Sequence, residues 1–290
     1  MTPKEKRLAL ACLIREKEVV VAPGVFDMVS AKIAEGENHS ALYMSGYATV
    51  ASYLGLPDAG LASYTDMVDR AGSIAGATNI PLIADADTGF GGLLNIQHTV
   101  RGFEKAGVAA VQIEDQEFPK KCGHTTGRRV IELSDMVNKI RVAVDSREDS
   151  NFLIIARTDA RTSLGLDEAI KRALAYRTAG ADVLFVESPE SQLEFEEIAS
   201  RIDAPLLANM VEGGRSPILS KRRLEELGYA LAIYPGTGFF AAAEALRSVY
   251  AHIAGTGSSL GTSNDLYEIE DMHELMGFQK VWDFEKKWMK

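Results

Sequence analysis

The chain has 290 residues and a formal charge of −10, with 46% apolar and 25% charged residues. That balance supports a buried core and argues against disorder, while the acidic surplus disfavours nucleic acid or an anionic membrane as partner, because both need a basic surface. No apolar run reaches the length of a membrane span, and Lys4, Glu5, Lys6, Arg7, Arg15 and Glu16 crowd the N-terminal stretch, so neither a membrane anchor nor a signal peptide is expected. Two cysteines, Cys12 and Cys122, are too few for a disulfide framework and fit a reducing, cytoplasmic setting; five scattered histidines suggest no zinc site.

In chain order, eight short apolar runs recur, each followed by a turn and a stretch of helical periodicity. They are Val19–Pro23, Ala41–Ser45, Pro81–Asp85, Ala109–Ile113, Phe152–Ala156, Val183–Val186, Pro205–Ala208 and Ala230–Tyr234. Buried parallel strands read as continuous rather than alternating apolar runs, and these do. Segments such as Ser134–Val144 and Leu166–Thr178 carry apolar residues three and four apart, and Gly107, Gly180 and Gly228 stand where a helix would hand the chain to the next strand. Eightfold strand–helix alternation predicts an α/β chain closed into a (β/α)8 barrel, a single domain over 1–290. An open doubly wound sheet is the rival, but no Gly-x-Gly-x-x-Gly turn follows the first run. Beyond the eighth run, Gly255–Thr262 leads into a tail, 263–290, that holds Trp282, Phe284 and Trp288 and needs a surface on which to bury them.

Polar residues interrupt the ends of five successive runs: Asp85 and Asp87 after the third, Glu114–Asp115–Gln116 after the fourth, Arg157–Thr158–Asp159 after the fifth, Glu187 after the sixth and Asn209 after the seventh. In a barrel these ends form the catalytic mouth. Each carboxylate could simply cap the helix that follows. Taken together they would repel one another unless a cation were present, and Mg²⁺ suits an all-oxygen set. Asp85 is the expected principal ligand, with Asp87, Glu114 and Asp58, from the loop Gly55–Asp58, reaching the ion directly or through water. Mn²⁺ could substitute.

The loop after the fourth run reads Pro119–Lys120–Lys121–Cys122–Gly123–His124. Two lysines and a histidine beside Cys122 are cationic neighbours expected to lower its pKa, as for a reactive thiol. A surface loop with a chance cysteine is the plainer alternative. Gly123 and Gly127 would let this loop move over the mouth and exclude water.

Tyr43–Met44–Ser45–Gly46, Leu54–Gly55–Leu56–Pro57–Asp58, Asp85–Ala86–Asp87–Thr88–Gly89, Glu114–Asp115–Gln116, Lys120–Lys121–Cys122–Gly123–His124 and Ala156–Arg157–Thr158–Asp159 resemble, in the same order, the isocitrate lyase and phosphoenolpyruvate mutase superfamily. The resemblance implies a barrel with a swapped C-terminal helix, so that 263–290 would be exchanged between subunits of a homotetramer built as a dimer of dimers. It implies Mg²⁺ on Asp85, with Asp58, Asp87 and Glu114 around it. It implies a substrate carboxylate held by Ser45, the amides near Gly46 and Tyr47, and Arg157, with Gly123 and Asn209 also at the substrate. It makes Cys122 the catalytic acid and places Lys121, His124 and Glu187 beside it.

The chemistry implied is cleavage of a small 2-hydroxy dicarboxylate between C2 and C3, with Tyr43 or Glu114 accepting the hydroxyl proton. Thr125–Arg129 and Asn209–Gly214 resemble the branch that holds 2,3-dimethylmalate lyase, the petal-death lyase and carboxyphosphonoenolpyruvate phosphonomutase. Methylisocitrate lyases share the chemistry. A phosphonomutase, an oxaloacetate hydrolase or decarboxylase (the fungal hydrolases carry serine where Pro235 stands) and a non-catalytic dicarboxylate-binding barrel are the alternatives. Tyr47, Phe90, Phe118 and Pro235 are candidates to shape the pocket.

Overall fold

A computed structural model describes residues 1–16, 18–125 and 127–289. Lys17, Thr126 and Lys290, which belong to the charged N-terminal stretch, the cysteine loop and the C-terminal tail, lie outside the described residues.

All eight apolar runs form strands: β1 (Val20–Val25), β2 (Leu42–Met44), β3 (Leu82–Asp85), β4 (Ala110–Glu114), β5 (Leu153–Thr158), β6 (Val183–Val186), β7 (Leu207–Asn209) and β8 (Leu231–Tyr234). They pair in parallel in the order β6-β5-β4-β3-β2-β1-β8-β7, and a parallel bridge between Leu184 and Leu206 brings β6 beside the start of β7. This is the expected barrel, with closure resting on that one bridge.

Side chains alternate across a strand, and parallel register keeps paired residues on the same face. One set, including Val20, Ala22, Tyr43, Ile83, Ala110, Ile155, Val183, Phe185, Leu207, Leu231 and Ile233, forms one buried cluster, the barrel interior. The helix Pro3–Leu13 packs Leu10 and Ala11 into the same cluster, and Ile14 just beyond it joins them. The other set, with Met44, Ala84, Val111, Ile113, Ile154, Ala156, Leu184 and Val186, packs against the surrounding helices. Burying one such aliphatic or aromatic side chain contributes roughly 1.5–3 kcal/mol.

The inner positions change character along each strand: Ile83 is followed two residues on by Asp85, Gln112 by Glu114, Ile155 by Arg157, Phe185 by Glu187 and Leu207 by Asn209. Registers Asp85 with Gln112, Glu114 with Arg157 and Arg157 with Phe185 hold these side chains on one face. Apolar residues thus fill the lower barrel and polar ones line its rim.

Helix capping does not account for the rim carboxylates. The helices after β3 and β4 begin at Leu93 and Leu133, capped by Gly92 and Glu132. Asp159 stands at the start of Ala160–Leu164 but makes no cap hydrogen bond.

The described residues divide into two compact units, Met1–Phe239 and Phe240–Lys290. The second contains most of the helix Thr237–Thr256 and the helices Ile269–Met276 and Phe278–Trp288, none with a buried residue. Trp282, Phe284 and Trp288 are at least half exposed there. Among the described residues no helix is long and apolar enough to cross a membrane.

Candidate active site

The acidic rim of the barrel gathers on a lysine. Nζ of Lys120, buried, lies 2.6 Å from Asp58 Oδ1 and 2.5 Å from Asp87 Oδ1. Burial opposes its charge, but Asp87, Asp58, Glu114 and Asp85 outweigh burial and hold its pKa well above the ordinary lysine range. Burial raises the pKa of Asp85 and Glu114, and pushes that of Asp87 up to about 7. Oε1 of Glu114 is buried with no hydrogen-bond partner among the described residues.

Among the described residues no three His, Cys, Asp or Glu side chains converge closely enough to hold a metal ion. The expected carboxylates do share one neighbourhood, with the Lys120 ammonium at its centre. Their donor chemistry, all oxygen and short of positive charge, nevertheless fits Mg²⁺.

Lys120 rather than Lys121 faces inward. Lys121 is exposed, and its backbone is clasped by Gln116, which donates to the Lys121 carbonyl at 2.8 Å and accepts from its amide at 3.0 Å. Lys121, which the resemblance sets beside Cys122, lies on the exposed side of the loop.

The lowered pKa expected for Cys122 is also corrected. Burial pushes the thiol above its ordinary value, with Asp58 and Glu187 adding to the effect. Its cationic neighbours are engaged elsewhere, Lys120 by carboxylates and Lys121 at the surface. The result is a thiol that keeps its proton, which suits an acid rather than a nucleophile. Its backbone amide donates to the Asp58 carbonyl at 3.2 Å, tying the cysteine loop to the Gly55–Asp58 loop.

Arg157 stands opposite. Asp159 grips it twice, Nε to Oδ2 and Nη2 to Oδ1 at 2.9 Å each, and Glu114 and Glu187 each lie 3.4 Å from it. The guanidinium lies 5.1 Å from the centre of the Phe185 ring. Burial works against the charge, and Asp159, Glu114 and Glu187 overcome it, so Arg157 stays cationic. A Cβ on Gly123 would lie 2.3 Å from Arg157 Nη2 and 3.1 Å from Glu187 Cδ, so only glycine lets the loop rest there.

Glu187, fully buried, accepts from Asn209 Nδ2 at 3.0 Å and from Ser188 Oγ at 3.1 Å. His124 Nε2 is 3.8 Å from Glu187 Oε1, while its Nδ1 accepts the Arg215 amide at 3.3 Å. That acceptance places the ring proton on Nε2, facing Glu187. Burial lowers the histidine pKa, keeping the ring neutral near pH 7.

At the other side, Ser45 caps the helix Gly46–Leu54, its hydroxyl accepting from Ala48 N at 3.3 Å. A helix N-terminus presents amides suited to an anion. A Cβ on Gly46 would approach Asp85 Oδ2 to 2.5 Å, so glycine is required for this close passage. Tyr47 is part-exposed and packs edge-on to Phe239. Phe90, by contrast, packs against Tyr64 and Phe103, outside the mouth.

Gln112 belongs to the site although no motif marks it. Its Oε1 accepts the Tyr43 hydroxyl at 2.7 Å, and its Nε2 donates to Asp85 Oδ1 at 3.3 Å. A glutamine inside an otherwise apolar strand, two residues before Glu114, was the available signal. Burial raises the Tyr43 pKa further, so that phenol remains a donor. Asp115 faces the helices instead of the mouth: it accepts from Thr158, Asp159 N, Arg172 and Tyr176.

A parallel (β/α)8 barrel with a ring of carboxylates, a buried arginine and a protonated loop thiol at its mouth defines a class of enzyme that works on small carboxylic acids. The sequence profile described as phosphoenolpyruvate phosphomutase matches residues 10–254. A 2,3-dimethylmalate lyase from Eubacterium barkeri is 51% identical over 234 residues, 81% of each chain. Among solved structures, oxaloacetate acetylhydrolase in complex with 3,3-difluorooxalacetate superposes with TM-score 0.94 at 34% identity, covering 99% of this chain and 98% of that one. Phosphonopyruvate hydrolase in complex with oxalate and Mg²⁺ does so with TM-score 0.89 at 29% identity over the whole of both chains. The chain belongs to the isocitrate lyase and phosphoenolpyruvate mutase superfamily and is a lyase of that group.

Proposed function

We propose that the protein is an Mg²⁺-dependent lyase that cleaves a 2-alkylmalate of the 2,3-dimethylmalate type to pyruvate, or a related 2-keto acid, and a second carboxylate. The observation that carries this reading is the half-buried Cys122 thiol, its pKa raised by desolvation, on a loop whose next residue, Gly123, rests against Arg157.

Arg157, with the Ser45 hydroxyl and the amides of Gly46 and Tyr47, orients the keto-acid half of the substrate through its carboxylate. Glu114, made more basic by burial, takes the C2 hydroxyl proton; Tyr43, whose own proton is committed to Gln112, supports Asp85 through that amide. The C2–C3 bond then breaks, the C2 oxygen becomes the carbonyl of the keto acid, and the electron pair left on C3 takes the proton of Cys122. His124 and Asn209 both face Glu187, which lies 3.4 Å from Arg157, and line the far side of the site. Asp85, Asp87, Asp58 and Glu114 would hold Mg²⁺ or Mn²⁺ once Lys120 gives way, and the ion would neutralise charge developing on the substrate oxygens. Lys121, at the surface, has no step in this scheme.

The exposed aromatic residues of 263–290 support a further part of the reading: this segment covers a second copy of the chain in a homotetramer built from dimers. The two-cysteine composition is the ground for placing the protein in the cytoplasm. Sedimentation of the intact protein tests the assembly.

The function is tested by incubating the enzyme with Mg²⁺ and (2R,3S)-2,3-dimethylmalate and coupling released pyruvate to lactate dehydrogenase. Citramalate, methylisocitrate and oxaloacetate serve as parallel substrates. Absence of a 2-keto acid product from every 2-alkylmalate would overturn the proposal, and turnover of oxaloacetate alone would move the protein to the hydrolases.

A further inference from the structure

The loop that carries Cys122 is closed at its neck by a short antiparallel ladder. Gln116 bridges Val130, the Glu117 amide donates to the Arg129 carbonyl at 2.9 Å, and the Ile131 amide donates to Asp115 O at 2.9 Å. At this neck sits Arg128, a residue to which the catalytic scheme gives no part. Its side chain is 1% exposed and runs under the loop. Nη1 donates to Asp159 Oδ1, Nη2 to Thr162 Oγ1 at 2.7 Å, and Nε to the Thr125 carbonyl at 3.3 Å.

Asp159 Oδ1 is therefore shared between Arg128 and Arg157, and the three side chains form a buried Arg–Asp–Arg row. Arg157 already faces Asp159, Glu114 and Glu187, three carboxylates that compete with any incoming anion. A second guanidinium on Asp159 draws off part of the charge that would otherwise bind Arg157 alone. A buried carboxylate flanked by two cations also orients each more firmly than either could manage unaided.

We infer that Arg128 is a positioning residue: through Asp159 it leaves Arg157 free to bind a substrate carboxylate, and it does so only while the neck of the cysteine loop is seated. The inference rests on the reading of Arg157 as the carboxylate anchor. Seating of the loop and binding of the anion are then linked, and each must favour the other by the same factor.

The test compares Arg128→Gln, Arg128→Lys and the milder Thr162→Val with the unaltered Mg²⁺-loaded enzyme. Sodium pyruvate is titrated calorimetrically, and kcat and KM are measured on 2,3-dimethylmalate. R128Q is expected to weaken pyruvate and raise KM about tenfold or more, the scale of a lost charge-assisted hydrogen bond, with a smaller change in kcat. R128K, which keeps the charge, should recover most of the loss, and T162V should lose about twofold to threefold. Unchanged pyruvate affinity in R128Q overturns the inference, as does an R128K no better than R128Q. If R128Q fails to fold, T162V decides it: unaltered pyruvate affinity in that variant is a negative result.

If the unaltered enzyme binds neither pyruvate nor any 2-alkylmalate, the carboxylate-anchor reading fails by itself. Arg128 is then judged by hydrogen exchange without ligand in R128K and T162V. Faster exchange at 157–162 as well as at 117–125 upholds its coupling to Arg157, while faster exchange in the loop alone reduces it to a tether.

Discussion

Lys120 places its ammonium between Asp58 and Asp87, 2.6 Å and 2.5 Å away, at the point where a divalent cation was expected. The loop thus brings its own positive charge to the carboxylates. Lys120→Met should bind Mg²⁺ about tenfold more tightly in calorimetry, because the ion no longer displaces a bound ammonium. The same variant should melt lower without metal, since removing one partner of a buried pair costs about 3–5 kcal/mol, and should regain most of that loss with Mg²⁺. Weaker Mg²⁺ binding in K120M would show that the lysine and the ion act together instead of in turn.

Cys122 bears on pH dependence. Burial raises its pKa, so the acid form is fully present below that value and is lost only as pH rises through it. The alkaline limb of kcat/KM should therefore lie above about 8.5, the ordinary thiol value. Cys122→Ser should lower kcat by about 10²–10⁴, the range for loss of an acid, with Mg²⁺ and pyruvate affinity retained. A limb below neutrality, or an active serine variant, would remove the thiol from the reaction.

Gly123→Ala tests the seating of the loop. The added methyl would overlap Arg157 Nη2, so the loop must lift or the arginine must shift. Turnover is expected to fall at least about tenfold, the scale of a modest misplacement of reacting groups, while the melting temperature stays within a few degrees because the loop lies outside the core. Wild-type kinetics in G123A would mean that the loop works in a different position.

Tyr176→Phe separates the two faces of β4. The phenol donates to Asp115 at 2.7 Å on the helix side of the barrel. Its loss should cost about 1.5–3 kcal/mol in denaturant titration, as for a hydrogen bond to a charged group, and leave KM unchanged. Glu114→Gln, one residue from Asp115 but inside the barrel, should abolish turnover and preserve or raise stability, since it removes a buried charge whose pKa burial has already raised. Y176F with altered KM would show that the outer network reaches the substrate.

The strands and most of the rim were readable in one dimension. Continuous apolar runs locate β1 to β8 because a parallel strand is buried on both faces, and the polar residues closing five of them mark the mouth because strand ends in a barrel share one side. Local pattern did not reveal which member of an adjacent pair faces the interior. Lys120 and Lys121 are equivalent as text, and their separate fates follow from the carboxylates that draw in Lys120 and from Gln116 clasping the Lys121 backbone. Nor did it reveal the direction of the Cys122 shift. Sequence neighbours argued for a lowered pKa; desolvation under the folded loop and the diversion of Lys120 to Asp58 and Asp87 reverse it. Burial and charge pairing are set by residues distant in the chain, so the signs of these effects emerge only once the barrel has brought them together.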